Sequence, residues 1–216
     1  EGNDLDNAAN HLKEAQKNAE KEHDLFNYFC ATIALGRIAA VHGKWDTVQK
    51  ILTKIEQQSQ RKMIGELYSY HRALRGCLFL KTNDLTACNR WMDESGISST
   101  EEIGYNDLWA GYVMAKLHYK SEELKEALHL SEKMTRMAHE EKALGFLIRF
   151  RILQSEIYYY LGHNERGAAY LIDAVHKAEH ESYLRPFGEG EPETLERLHA
   201  FFNDGQSHFS SPRTDT

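Results

Sequence analysis

The sequence predicts an all-α fold: a right-handed superhelix of antiparallel helix pairs with a repeat of about 40 residues. Three observations lead there. Apolar residues recur at i, i+3, i+4 and i+7 over long stretches, with almost none of the alternation a half-buried strand needs. Helix breakers are scarce, 14 Gly and 3 Pro in 216 residues, too few for an all-β sandwich or a disordered chain. Small residues also return at a near-constant interval, at Ala8, Val48, Cys88, Ala127 and Ala168, which are 40, 40, 39 and 41 residues apart.

The elements follow in order. Helices are expected over about 4–22, 25–42, 45–61, 64–81, 84–95, 103–119, 121–139, 141–161, 164–181 and 191–203. Polar turns at His42-Gly43-Lys44, Thr82-Asn83-Asp84, Tyr119-Lys120-Ser121 and Gly162-His163-Asn164 punctuate them. In register, the second helices of the pairs read Leu5, Ala8, Leu12, Ala15; Trp45, Val48, Leu52, Ile55; Leu85, Cys88, Met92, Ser95; Leu124, Ala127, Ser131, Met134; and Glu165, Ala168, Ile172, Val175. The first helices carry a matching small residue at Gly36, Gly76 and Ala115, which lets the second helix approach closely. Glu156 takes that place in the last pair, Ser95 and Ser131 stand at nominally apolar sites, and Arg72 and Arg75 fall near core positions.

The run Ser95-Gly96-Ile97-Ser98-Ser99-Thr100 is the longest internal break, and Thr100-Glu101-Glu102 reads as a helix cap with acids in the first turn. The first helix, 4–22, lacks a partner, and the chain opens on Glu1 without a Met, so an N-terminal truncation is expected. Helix 191–203 is expected to cap the last pair. Residues 1–203 thus read as one repeat domain and 204–216 as a flexible linker or tail.

Composition narrows the function. With 26 Lys+Arg against 33 Asp+Glu the net charge is −7, and no basic cluster occurs. Nucleic-acid binding by this stretch is not expected, because phosphate neutralisation needs a basic face. No apolar run reaches the ~20 residues of a membrane helix and no signal peptide opens the chain. Cys30, Cys77 and Cys88 are odd in number and form no CxxC motif, so they read as small core hydrophobes in a reducing cytoplasm.

The small-to-small contact between antiparallel helices is the tetratricopeptide pattern with a lengthened period. From about Tyr105 the resemblance becomes more specific. Tyr112-Val-Met-Ala115-Lys116-Leu-His-Tyr-Lys-Ser-Glu-Glu-Leu124-Lys-Glu-Ala127-Leu128 resembles the penultimate repeat of the maltose-regulon activator (MalT) family, large ATP-dependent regulators of the LuxR type. Ala115-Lys116 stands where the family has Ala-Arg. The likeness continues through Tyr158-Tyr-Tyr-Leu-Gly162-His-Asn-Glu-Arg-Gly-Ala168 and Leu171-Ile-Asp-Ala-Val-His-Lys-Ala178-Glu. It closes on Glu181-Ser182-Tyr183-Leu184-Arg185-Pro186-Phe187-Gly188-Glu189-Gly190, similar to the run that ends the family's helical domain. The resemblance implies three parts in a full-length protein: an ATPase, a helical-repeat sensor and a helix-turn-helix. This chain has no GxxxxGK[ST] loop, so it resembles the sensor alone. No cofactor is expected within it, and ATP only in a missing N-terminal domain.

No catalytic constellation stands out, and no enzyme activity is expected. His176 and His180 share a helix face at i, i+4, with Asp173 or Glu179 as a third metal ligand, but solvated surface histidines explain them as well. His139-Glu140-Glu141-Lys142-Ala143 fails the HExxH pattern at its last position. The informative set is the concave wall, built from the first helix of each pair. It gathers Arg37, Tyr70, Trp109, Tyr112, Lys116, Tyr119, Phe150 and Tyr160. Aromatic faces stack on sugars or apolar side chains and cations hold carboxylate or phosphate. The alternative is that these aromatics pack between neighbouring pairs. The expected partners are a small-molecule effector or a regulatory protein, with self-association and without nucleic acid or membrane. The expected function is effector sensing in a LuxR/MalT-type transcriptional regulator; a stand-alone scaffold for a peptide or protein is the alternative.

Overall fold

The computed structural model describes residues 4–59, 65–82, 84–95, 105–179, 183, 185–188 and 190–204. Among these no strand occurs, and the chain runs as α1 (Leu5–Lys21), α2 (Leu25–Val41), α3 (Trp45–Ser59), α4 (Gly65–Thr82) and α5 (Leu85–Ser95). It continues as α6 (Leu108–Lys120), α7 (Leu124–Glu140), α8 (Leu144–Tyr160), α9 (Asn164–Glu179), α10 (Arg185–Gly188) and α11 (Pro192–Asp204). A 3-10 turn, Tyr105–Asp107, leads into α6. The break at Gly96–Thr100, the Thr100-Glu101-Glu102 cap and the tail beyond Asp204 lie outside the described residues.

The period has a simple origin. α1, α2, α7 and α8 are each 17 residues long, and three turn residues separate α1 from α2 and α7 from α8, so a half-repeat takes 20 residues. Five turns have a left-handed middle residue among the described residues: His23 (φ 56°), Gly43 (68°), Glu122 (61°), Lys142 (55°) and Gly162 (78°). In each, the following N–H reaches back to the last helical turn, as Lys44 does to the Ala39 carbonyl at 2.9 Å and Ala143 to Ala138 at 2.8 Å. These are helix-terminating bonds of the Schellman type. Asp4, Asp24 and Asp84 then open the next helix, each accepting from the backbone N–H three residues on at 3.0 Å. The turn expected at Tyr119–Ser121 lies two residues later, at Ser121–Glu123, because α6 runs on to Lys120.

Two kinds of helix alternate. α2, α6 and α8 are buried on nearly every side, whereas α1, α7 and α9 carry one apolar face and one solvated face. The packing follows: α2, α4, α6 and α8 lie side by side as a central row, and α3, α5 and α7 pack against its members. The largest core runs from Ala73 and Trp91 through α6 and α7 to Phe150, Leu153 and Ile157.

Most of the repeat's irregular residues find a structural cause. The small residues of the central row serve their neighbours in the row as much as their own partner helix. A β-carbon on Gly36 would lie 2.6 Å from Leu74 of α4, and one on Gly76 would lie 2.7 Å from Val113 of α6 and 2.8 Å from Trp91 of α5. Arg72 reaches Asp107 at 3.1 Å, and Arg75 pairs with Glu56 of α3. The Ser131 hydroxyl donates to the Leu128 carbonyl at 2.8 Å and accepts from the Gln154 amide at 3.4 Å. The last pair corrects the register. Its close contact is made by Ser155 and Gly167, both buried, and not by Glu156 and Ala168. Ser155 is 40 residues after Ala115, and Gly167 is 40 after Ala127. Cys88 is buried, while Cys30 and Cys77 are half-buried.

Candidate functional site on the central helix row

The central row brings the residues singled out from the sequence into three groups. Arg37, Tyr70 and Trp109 meet where α2, α4 and α6 lie side by side. The Arg37 guanidinium sits over the Trp109 ring at 4.3 Å, and the Tyr70 and Trp109 rings are 6.3 Å apart. All three are half-buried. Tyr112, Lys116 and Phe150 form the second group, with an edge-on ring contact at 5.7 Å and the ammonium 6.0 Å from the Tyr112 ring. Tyr119 and Tyr160 form the third, edge-on at 6.1 Å, with Tyr160 54% exposed.

Two of these residues do not line an open wall. Phe150 is wholly buried and Tyr112 is 7% exposed; they fill the space between α6 and α8. An aromatic at helical spacing gains ~2 kcal/mol from burial wherever a neighbouring helix is close enough to cover it. Two further cations of α8 are engaged within the stack: Arg149 donates to the Gly145 carbonyl at 3.0 Å. Arg151 lies between α8 and α9, donating to Gln154 at 3.0 Å with Asp173 at 2.8 Å from its Nε.

The Lys116 end of the row is occupied by the chain itself. Glu156, 2% exposed, accepts from the Glu191 backbone N–H at 2.7 Å and from the Thr194 hydroxyl at 2.8 Å. A carboxylate at a helix N-terminus is favoured by the unpaired N–H groups and the dipole, so Glu156 holds the start of α11. A β-carbon on Gly190 would lie 2.9 Å from the Glu156 oxygen, so glycine allows this approach. Glu191 in turn takes Lys120 at 2.6 Å and has Lys116 at 3.6 Å. Burial opposes the Lys116 charge, but Tyr112, Glu156 and Glu191 overcome it and hold the ammonium above the usual lysine range. Burial, then Glu156 and Glu191, push the Tyr119 phenol up to about 12. Glu156 drew notice in the sequence only through a register one residue off, since Ser155 holds the small-residue place; Glu191 and Thr194 carried no mark.

Two further features complete the surface. A groove of about 510 Å³ opens between α1 and α2, lined by Leu12, Ala15, Ala19, Cys30 and Ala31 among others. Among the described residues no group of three His, Cys, Asp or Glu could hold a metal ion. His176 is exposed, 3.9 Å from Glu179, Asp173 is engaged by Arg151 and Lys177, and His180 lies outside the described residues. No described helix is long and apolar enough to cross a membrane.

Stacked helix pairs around an aromatic and cationic row define a helical-repeat domain of the tetratricopeptide class. The chain belongs to the MalT-like TPR region family, whose profile spans residues 1–203. Among solved structures it is similar to the crystal structure of BtubC (BKLC) from P. vanneervenii, at 10% identity over 99% of this chain and 96% of that one, with a TM-score of 0.57. At that identity the likeness is one of fold. No curated protein matches the chain.

Proposed function

We propose that this chain is the sensing domain of a LuxR/MalT-type transcriptional regulator, and that it binds a small-molecule effector or a regulatory protein on the central helix row. The observation that carries this reading is the Arg37–Tyr70–Trp109 cluster. Three successive repeats each contribute one half-buried side chain to it, and the cation–ring distance is 4.3 Å. Such a cluster offers a flat apolar face beside a positive charge, a combination that suits a sugar or a peptide side chain with an adjacent anionic group. On this reading the domain acts by binding and not by catalysis. It works in the cytoplasm without a cofactor of its own, while ATP and DNA are handled by other parts of the regulator.

Trp109 provides its own test. Its fluorescence is titrated with a panel of oligosaccharides, amino acids and short peptides, and Arg37→Ala and Trp109→Ala are scored for activation in the full-length regulator. A saturable change that Arg37→Ala abolishes supports the reading. A flat response to every compound, with both variants still activating normally, removes it.

A further inference from the structure

The start of α11 occupies the Lys116 end of the central row as a ligand would. Glu191 satisfies both poles of that place at once: its side-chain carboxylate takes Lys120 and faces Lys116, and its backbone N–H serves Glu156. Thr194 adds a second donor to the same Glu156 oxygen. The surroundings therefore demand an acid followed by free N–H and O–H donors. That is the chemistry of a peptide entering a helix with Glu or Asp at its cap and Thr or Ser three residues on. A bare dicarboxylate would set a second negative charge against buried Glu156 without supplying a donor.

We propose that the segment 190–204 is a displaceable internal ligand, and that the Lys116–Lys120–Glu156 site binds an acidic helix N-terminus of a partner protein in exchange for it. Binding of the partner then releases α11 from α8 and carries the signal to whatever follows in the regulator. This rests on the reading above, that the central row is the recognition face, and it names the partner class for its Lys116 end. The clasp is built for specificity. Glu156 is a carboxylate only 2% exposed whose Oε1 takes both its donors from the 191–194 segment, and Gly190 leaves room for the approach.

The test uses the whole chain and a fluorescein-labelled peptide with the sequence of residues 190–204. Glu191→Gln in the chain should raise amide hydrogen exchange across 192–204. It should also tighten binding of the peptide about tenfold or more over the wild-type chain, since a hydrogen bond to a charged group is being removed from the competitor. The same peptide carrying Glu191→Gln should bind the opened chain about tenfold more weakly, a comparison that leaves the protein unaltered. Millimolar free glutamate should not displace the peptide. Unchanged exchange in Glu191→Gln overturns the proposal, as does equal binding of the two peptides. Displacement by free glutamate replaces the peptide with a small zwitterion as the ligand and also overturns it. The Trp109 response separates this proposal from the one beneath it: loss of peptide exchange with an intact Trp109 response removes only the clasp, and loss of both removes the recognition face.

Discussion

The Ser155 hydroxyl donates to the Gly167 carbonyl at 2.7 Å, so α8 and α9 touch through a side chain and a main chain at the closest point of the last pair. A β-carbon on Gly167 would lie 2.7 Å from the Tyr159 ring, while Ala168, one residue on, is only half-buried.

The register therefore has a sharp mutational test. Ala127 is fully buried, and Ala127→Leu should cost about 1–3 kcal/mol by overpacking. Gly167→Val should fall in the same range, whereas Ala168→Leu should change stability by less than ~1 kcal/mol. Urea unfolding monitored by circular dichroism reads all three. Equal losses for Gly167→Val and Ala168→Leu would put the close contact at the wrong residue.

The α11 clasp sets limits at both ends of the pH scale. Lys116 is raised above its ordinary value of 10.5, so its contribution is complete below about pH 10.5 and is lost as pH rises beyond it. Burial raises Glu191, but Lys120 and Lys116 outweigh it and depress the carboxyl below its ordinary 4.5. Its contribution is complete above about pH 4.5 and is lost as pH falls further. The protection of α11 against hydrogen exchange, taken relative to the intrinsic rate at each pH, should accordingly fall at both extremes, and Glu191→Gln should flatten the acid limb. An acid limb that survives this substitution would assign it to other carboxylates.

A third prediction concerns His71, buried between α3 and α4. Burial first, then the Arg75 charge, lowers its pKa below 6.5 against the opposing pull of Glu56. The unfolded chain binds the proton more readily, so His71 favours the fold above about pH 6.5 and progressively less below it. The melting temperature should fall between pH 7.5 and 5.5, and His71→Gln should reduce the slope. An unchanged slope in this variant would move the effect to another titrating group.

These sites were legible in the sequence to different degrees. The period and the boundaries of α2 follow from the 3.6-residue rhythm and turn chemistry, which are local properties; the starts of α7 and α8 fall three residues later than that rhythm suggests, at Leu124 and Leu144. The slip between Ala168 and Gly167 was not legible, because both are small and only the position of the Tyr159 ring distinguishes them. Neither was the fate of the aromatics: Trp109, Tyr112 and Tyr119 share one helical stripe, yet Tyr112 is sealed by Phe150 while Trp109 and Tyr119 keep part of their surface. The meaning of Glu156 needed its partners, 35 and 38 residues further along.

The 20-residue half-repeat also governs how the chain folds and comes apart. Its principal helix contacts join elements adjacent in the chain or one removed, so loops closed early are short and contact order is low, the topology of rapid folding. Nucleation can begin at any well-packed pair, and the α6–α8 stretch with its continuous core is the natural place. The Lys120–Glu191 tie closes a span of 71 residues, so it forms after the pairs between its ends have assembled. In unfolding the order reverses: the terminal helix opens first while the row beneath it is still folded.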